Sequence, residues 1–406
     1  MRRKHIIPFL ILIVLGFWGI RQVFGGTFYS SHDGYTHVAR IFQYDKAFSD
    51  GQFPPRWAGT LNNGAGSPIF VFSYPLPYIM GTLLHMGGFD YTEAFQILVA
   101  GSLVVSAIAF FLFLNELFDV VPSLVGGLFY MIAPYRFLNI YVRGSLSESV
   151  GYLLVPLVFL TLVRLIKQRT PQRFMLFSMS ISLLLLSQYL VAVLFLPIIA
   201  SFVLVLFFQT KKREILYDFG LAMIFGFGIA SFSYFPVVFE RSHLRFTELM
   251  SYYQNHFVHF YQLVRSPWGY GFSLPGTGDA MSFQIGLAHI AVVLLSLVLV
   301  FIFYFKKWKI PRYVRELLCI GYIFFAISIV LMIDTTFTKW LWQTVPVLTI
   351  IDIPWRFLGI TVFSASLIGV CAAALLTQLR GGIFIIFALC VLLVYANRNH
   401  IRVNQY

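Results

Sequence analysis

Leu190-Val191-Ala192-Val193-Leu194-Phe195-Leu196-Pro197-Ile198-Ile199-Ala200-Ser201-Phe202-Val203-Leu204-Val205-Leu206-Phe207-Phe208 runs for nineteen residues without a charged side chain. As a helix this stretch rises roughly 28 Å, close to the thickness of a bilayer's hydrocarbon core. Blocks of the same kind recur, with ends uncertain by a few residues, near 6–24, 92–115, 122–141, 150–167, 174–188, 217–238, 284–305, 316–333, 355–377 and 382–396. Composition agrees: of 406 residues, 59% are hydrophobic and 11% charged, against about 25% charged in a soluble domain. The expected fold is therefore an all-α polytopic membrane protein with about 11 crossings, and a soluble class is excluded. Cys319, Cys371 and Cys390 all fall inside apolar blocks, with neither metal-ligand spacing nor an evident disulfide role.

The net charge of +13 would suggest nucleic acid in a soluble chain, but threading the spans gives it a simpler meaning. Arg2-Arg3-Lys4 precedes the first span, which reads as an anchor rather than a signal peptide, since its apolar run is long and Gly25-Gly26-Thr27-Phe28-Tyr29 offers no small-x-small cleavage site. With the N-terminus in the cytoplasm, the inner side holds sixteen basic and five acidic residues, and the outer side thirteen basic and eleven acidic. The resulting +11 inside against +2 outside obeys the positive-inside rule. The basicity sets orientation in a cytoplasmic membrane, the tail 397–406 is expected outside, and nucleic acid is not an expected partner.

Two outer segments, 25–74 and 239–283, are too long to be mere connectors, and loops of that size usually carry function. The stretch 75–88, with Pro75 and Pro77, is too short to cross and reads as re-entrant or interfacial. The chain thus divides into an N-terminal transmembrane module, 1–238, the outer loop 239–283, C-terminal helices over 284–396, and the tail.

In the first loop, Ser31-His32-Asp33-Gly34-Tyr35-Thr36-His37 leads into a surface helix over 35–49, with Tyr35, Val38, Ala39, Ile41 and Phe42 toward lipid and Asp45 and Lys46 toward water. Asp33 sits just before that helix. It reads as a helix cap and equally as a general base, because a carboxylate at the bilayer surface is partly desolvated. His32 and His37 flank it. The Asp33–His37 spacing is a weak metal signal, outweighed by a plain hydrogen-bonding or interfacial role. Gly64, Gly66 and Pro68 are expected to set turns that send the next segment back toward the membrane.

Arg136, Arg143 and Glu148 lie where an ionisable group must be paired or functional; an Arg–Glu lock and a phosphate site are both open. Arg265 with Trp268, and Trp355 with Arg356, repeat a pattern of Arg beside Pro and Trp. Such arginines either snorkel to lipid phosphate or hold a phosphate leaving group. His243, His256 and His259 share the loop of Arg265, and structural and functional roles stay open for them. No Walker loop, dinucleotide fingerprint, HExxH or Gly-x-Ser-x-Gly elbow occurs.

The strings His32 to His37, Gly51 to Trp57 (with Arg56), Gly64 to Pro77, Ala133 to Glu148 and Pro354-Trp355-Arg356-Phe357 resemble bacterial and archaeal membrane proteins described as 6-pyruvoyl-tetrahydropterin synthase-related. They are similar, less closely, to YfhO-type proteins, and the layout resembles the GT-C superfamily of membrane glycosyltransferases. The resemblance implies a GT-C-like module over 1–238, in which Asp33 matches the first-loop catalytic acid and Glu148 falls where several such families place a second acid, making it the second catalytic candidate. It further implies a polyprenyl-phosphate sugar donor, an envelope glycan, lipid or protein acceptor, and membrane lipid around them, with His32, His37, Arg56, Arg143, Arg265, Trp268 and Arg356 as substrate-binding candidates. Paired acids typical of many such families are missing around Asp33, so no metal ligand is assigned and a divalent metal is optional. The soluble pterin synthase is a small α/β enzyme with a histidine zinc site, a fold these apolar blocks do not build, so pterin chemistry is not expected. Members of such families often continue into a soluble outer domain, and by that comparison this chain reads as a short form. A non-enzymatic transporter or scaffold for envelope glycolipids is the alternative.

Overall fold

A computed structural model describes residues 5–240, 253–276 and 278–403; the basic cluster Arg2-Arg3-Lys4 and His243 lie outside the described residues. Among the described residues sixteen α-helices make up nearly all regular structure, and the only strand-like pairings are two isolated bridges, Ala58 with Ser67 and Val258 with Ile333. Nine of the described helices are long and apolar enough to cross a bilayer, and a bent pair, α5 (Val120–Met131) and α6 (Pro134–Tyr141), makes a tenth. The 42° bend falls where Pro134 removes a backbone donor and restricts the residue before it.

The eleventh expected span, 174–188, is α8 (Pro171–Ser187), whose 17 residues rise roughly 25 Å. Its two ends lie at opposite faces of the molecule. Arg169, just before it, pairs with Asp218 of α10 (Glu214–Glu240) at 2.7 and 2.8 Å. On this same face Glu116, after α4 (Tyr91–Asn115), accepts from Arg164 and Lys167 of α7 (Leu146–Lys167) at 2.8 and 2.9 Å. Gln188, at the far end of α8, lines the cavity described below.

Helix α15 (Leu358–Leu376) is almost wholly buried and forms the centre, packed by α5, α12 (Leu287–Phe305) and α13 (Arg312–Met332). Its small residues, Gly359, Ser364, Ala365, Ser366 and Gly369, let neighbours approach closely, as membrane interfaces favour. Helices α10 and α16 (Gly382–Asn397) expose most of their apolar side chains and form the periphery.

The long segment 25–74 forms α2 (Gly34–Ser49), and the proline-bearing stretch after it forms α3 (Pro75–Met86). Tyr35 and Phe42 are exposed as expected, but Ile41 is fully buried: Gly81 of α3 leaves the space it fills, a Cβ there falling 2.8 Å from the Ile41 side chain. Asp45 is not on an open wet face either, since Tyr91 donates to it at 2.8 Å. Gly64 and Gly66 take positive φ, in keeping with the turn expected there.

Candidate functional site

One tyrosine and a backbone ladder hold the start of α2 against the end of α6, and a second tyrosine ties that end to the first span. Tyr29 donates to the Ile140 carbonyl at 2.9 Å, and Tyr141 to the Gly19 carbonyl at 2.6 Å. The amides of His32 and Asp33 donate to the Val142 and Arg143 carbonyls, each at 2.9 Å. Gly144 makes this approach feasible. Its φ is +61°, and a Cβ there would meet Ser31 Oγ and lie 2.9 Å from the Gly34 nitrogen. Residues far apart in sequence, Asp33 and Arg143, are thereby fixed at one spot.

That spot is the wall of a cavity of about 500 Å³, within the roughly 300–1,000 Å³ usual for ligand sites. Asp33, His37 and Arg40 reach it from α2; Tyr74 and Tyr78 from the segment around α3; Arg143 from the loop before α7; Gln188 and Tyr189 from the break between α8 and α9 (Tyr189–Thr210); and Asp352 and Arg356 from the approach to α15. Asp33 occupies the N-cap position of α2, but its side chain makes no capping hydrogen bond. Among the described residues no hydrogen bond or ion pair holds its carboxylate, which is exposed to the cavity.

The cations are differently held. Arg143, which is buried, pairs with Glu148, donates to Asn139 Oδ1 at 2.5 Å, and lies over the Trp355 ring at 4.7 Å. Burial works to lower its pKa, but the Glu148 carboxylate outweighs it and the net shift is upward. Arg356 faces Asp352 at 3.3 Å, with one bond from Nη2 to Oδ2 at 3.3 Å, while Nε and Oδ1 lack hydrogen-bond alignment. Arg40 donates to Tyr78 Oη at 3.4 Å and leaves its buried Nε without a partner among the described residues. Two loosely bound arginines therefore share the cavity wall with a tightly bound one, an arrangement suited to an incoming anion.

His37 is buried, with Nδ1 3.1 Å from Tyr78 Oη and its ring stacked on Phe95. Burial, then Arg40 and Arg143, push its pKa down to about 3, so the imidazole is neutral near pH 7. Burial likewise raises Tyr74 well above its ordinary value, so its hydroxyl remains a neutral donor.

Of the candidates read from sequence, Asp33, His37, Arg143 and Arg356 line this one cavity. Glu148 lies beneath it, bound to Arg143. His32 turns to the loop 239–283, 2.7 Å from the Tyr270 carbonyl and stacked on Phe272. Arg56 borders a separate narrow apolar cleft with Pro75 and Phe232. Trp268 packs against His400, and Arg265 is an exposed residue of the same loop; neither lines the cavity. Arg136 points inward to Ser106 Oγ at 2.7 Å between the Tyr130 and Tyr152 rings. His256 lies 2.9 Å from Ser273 Oγ, and His259 precedes a short helical turn, α11 (Phe260–Val264). No group of three His, Cys, Asp or Glu among the described residues is arranged to hold a metal.

Arg40 is missing from the sequence reading although Asp33, His37 and Arg40 stand at i, i+4 and i+7, one face of a helix. Tyr74, Tyr78, Gln188, Tyr189 and Asp352 carry no such signal, because separate elements bring them together.

The family model described as "6-pyruvoyl-tetrahydropterin synthase related domain; membrane protein" matches residues 71–400. The chain belongs to this family. The match spans the part of the cavity built from Tyr74 onward, including Arg143 and Arg356, while Asp33, His37 and Arg40 precede it. No curated protein matches this member of the family.

Proposed function

We propose that this protein is a membrane glycosyltransferase of GT-C type, moving a sugar from a polyprenyl-phosphate donor to an envelope acceptor at the outer face of the cytoplasmic membrane. The observation that carries the reading is a carboxylate, Asp33, that has no hydrogen-bond or ion-pair partner among the described residues and shares one cavity with Arg40, Arg143 and Arg356. Asp33 takes the proton from an acceptor hydroxyl as that oxygen bonds to the anomeric carbon. The bond from that carbon to the phosphate oxygen breaks, and its electron pair leaves with the lipid phosphate. The arginines counter the charge that develops on that oxygen. The proton passes from Asp33 to water.

Sidedness supports the outer face. Arg164, Lys167, Arg169, Arg173, Lys211, Lys212 and Arg213 lie in or next to the terminal turns of helices at the face opposite the cavity, and basic termini of spans stay in the cytoplasm. Mass spectrometry of envelope glycans from cells carrying Asp33→Asn tests the function. A missing or shortened glycan at normal protein level is expected; unchanged glycans at normal protein level would sink the reading.

A further inference from the structure

Glu148 is the second carboxylate that the sequence marks as a catalytic candidate, yet its acceptor positions are all taken. An ionised carboxylate offers about four. Oε1 accepts from Tyr135 Oη at 2.7 Å and Tyr152 Oη at 3.0 Å; Oε2 accepts from Arg143 Nη1 and from Ser145 Oγ at 3.3 Å. Glu148 is 1% exposed and absent from the cavity wall, whereas Arg143, directly bound to it, is part of that wall. A carboxylate so enclosed has neither a free lone pair for a substrate proton nor a path by which a hydroxyl could reach it.

We infer that Glu148 is a positioning residue: with Tyr135 and Tyr152 it fixes the Arg143 guanidinium at the cavity wall, ready for a substrate phosphate, and takes no proton itself. The identity of that anion rests on the transferase reading above. An arginine side chain has many rotamers, and ordering one on ligand arrival weakens binding. Here the ordering is complete beforehand, because Glu148, Asn139 and the Trp355 face restrain the guanidinium from three directions. The tyrosine hydroxyls substitute for the water that a carboxylate loses on burial, which keeps Glu148 charged and therefore keeps Arg143 in place.

The test is binding of a short-chain prenyl monophosphate to the full-length protein in lipid nanodiscs, alongside transfer assays. Glu148→Gln and Arg143→Met should each raise Kd by about tenfold or more. The double variant should bind no worse than the weaker single one, since both changes remove the same contact. The pH profile of transfer should retain its acid limb in Glu148→Gln, as expected when the base is elsewhere. Wild-type affinity in Glu148→Gln, a double-variant loss equal to the product of the single losses, or a vanished acid limb would each overturn the inference. Should Glu148→Gln not fold, Tyr135→Phe carries the test, because it removes one donor to Glu148 and leaves the ion pair. A several-fold weakening supports the role, and unchanged affinity overturns it. A wild type that binds no prenyl phosphate overturns the inference and the transferase reading together. Coupled variants in a protein that binds but transfers no sugar uphold Glu148's role and remove only the transferase reading. Normal transfer with normal binding in Glu148→Gln does the reverse.

Discussion

Asp33 and Glu148 are two carboxylates within one small region, and their surroundings give them opposite capacities. Among the described residues Asp33 is exposed to the cavity with no hydrogen-bond or ion-pair partner, and Glu148 is enclosed by four donors. Asp33→Asn is accordingly expected to abolish transfer while leaving prenyl-phosphate Kd within about threefold of wild type, since it removes a proton acceptor and no phosphate contact. A large rise in Kd would instead make Asp33 a binding group. Arg356 is the more replaceable partner of Asp352, being held by a poorly aligned pair at 3.3 Å. Arg356→Lys keeps the charge but loses the planar fork, and about a tenfold weaker Kd is expected; unchanged affinity would show that a point charge suffices. His37 supplies a pH dependence. Its pKa falls from 6.5 to about 3 on folding, so between those values the unfolded chain binds a proton that the folded one rejects. Stability present above pH 6.5 is lost as pH falls, at up to about 1.4 kcal/mol per pH unit. In thermal melts from pH 7 to 4, His37→Phe should show a shallower acid slope than wild type, and equal slopes would refute the assignment.

At the scale of elements, the site depends on α2 docking against the turn between α6 and α7. That docking runs through the amides of His32 and Asp33 and needs a residue without a Cβ at 144. Gly144→Ala imposes about 1–2 kcal/mol from the left-handed backbone alone, with a clash against Ser31 and Gly34 added to it. A lower melting temperature and loss of transfer are expected together. An active, fully stable variant would show that the two elements can separate without harm. Much of α2 was legible in sequence: its amphipathic face, its extent to within one residue (expected 35–49, found from Gly34 to Ser49) and the exposure of Tyr35 and Phe42. The burial of Ile41 was not, because an apolar residue on a surface helix fits lipid and protein equally well. Gly81, forty residues away, decides between them by leaving room for the side chain. Helix α14 (Thr336–Thr344) also escaped the sequence reading, its nine residues being too few for a periodic pattern to stand out.

For the whole molecule, the paired faces give a direct test of orientation. Ser67 lies at the cavity and Lys212 at the opposite face. In intact cells, Ser67→Cys should react with a membrane-impermeant maleimide and Lys212→Cys only after permeabilisation, both in a background where Cys319, Cys371 and Cys390 are replaced. The reverse pattern would put the cavity in the cytoplasm. The sequence by itself determined the helical membrane class, the approximate spans and the charge asymmetry. Each depends only on local composition, since a backbone in hydrocarbon has no partner but its own helix. It also singled out Asp33, Arg143 and Arg356, because ionisable groups beside hydrocarbon are rare and conspicuous. Tertiary structure alone decided how they are held. Whether a carboxylate is free or saturated, and whether an arginine faces a cavity or a loop, depends on side chains contributed by helices far apart in the chain. Tyr135, Tyr152, Trp355 and Asp352 became part of the site only when those helices met.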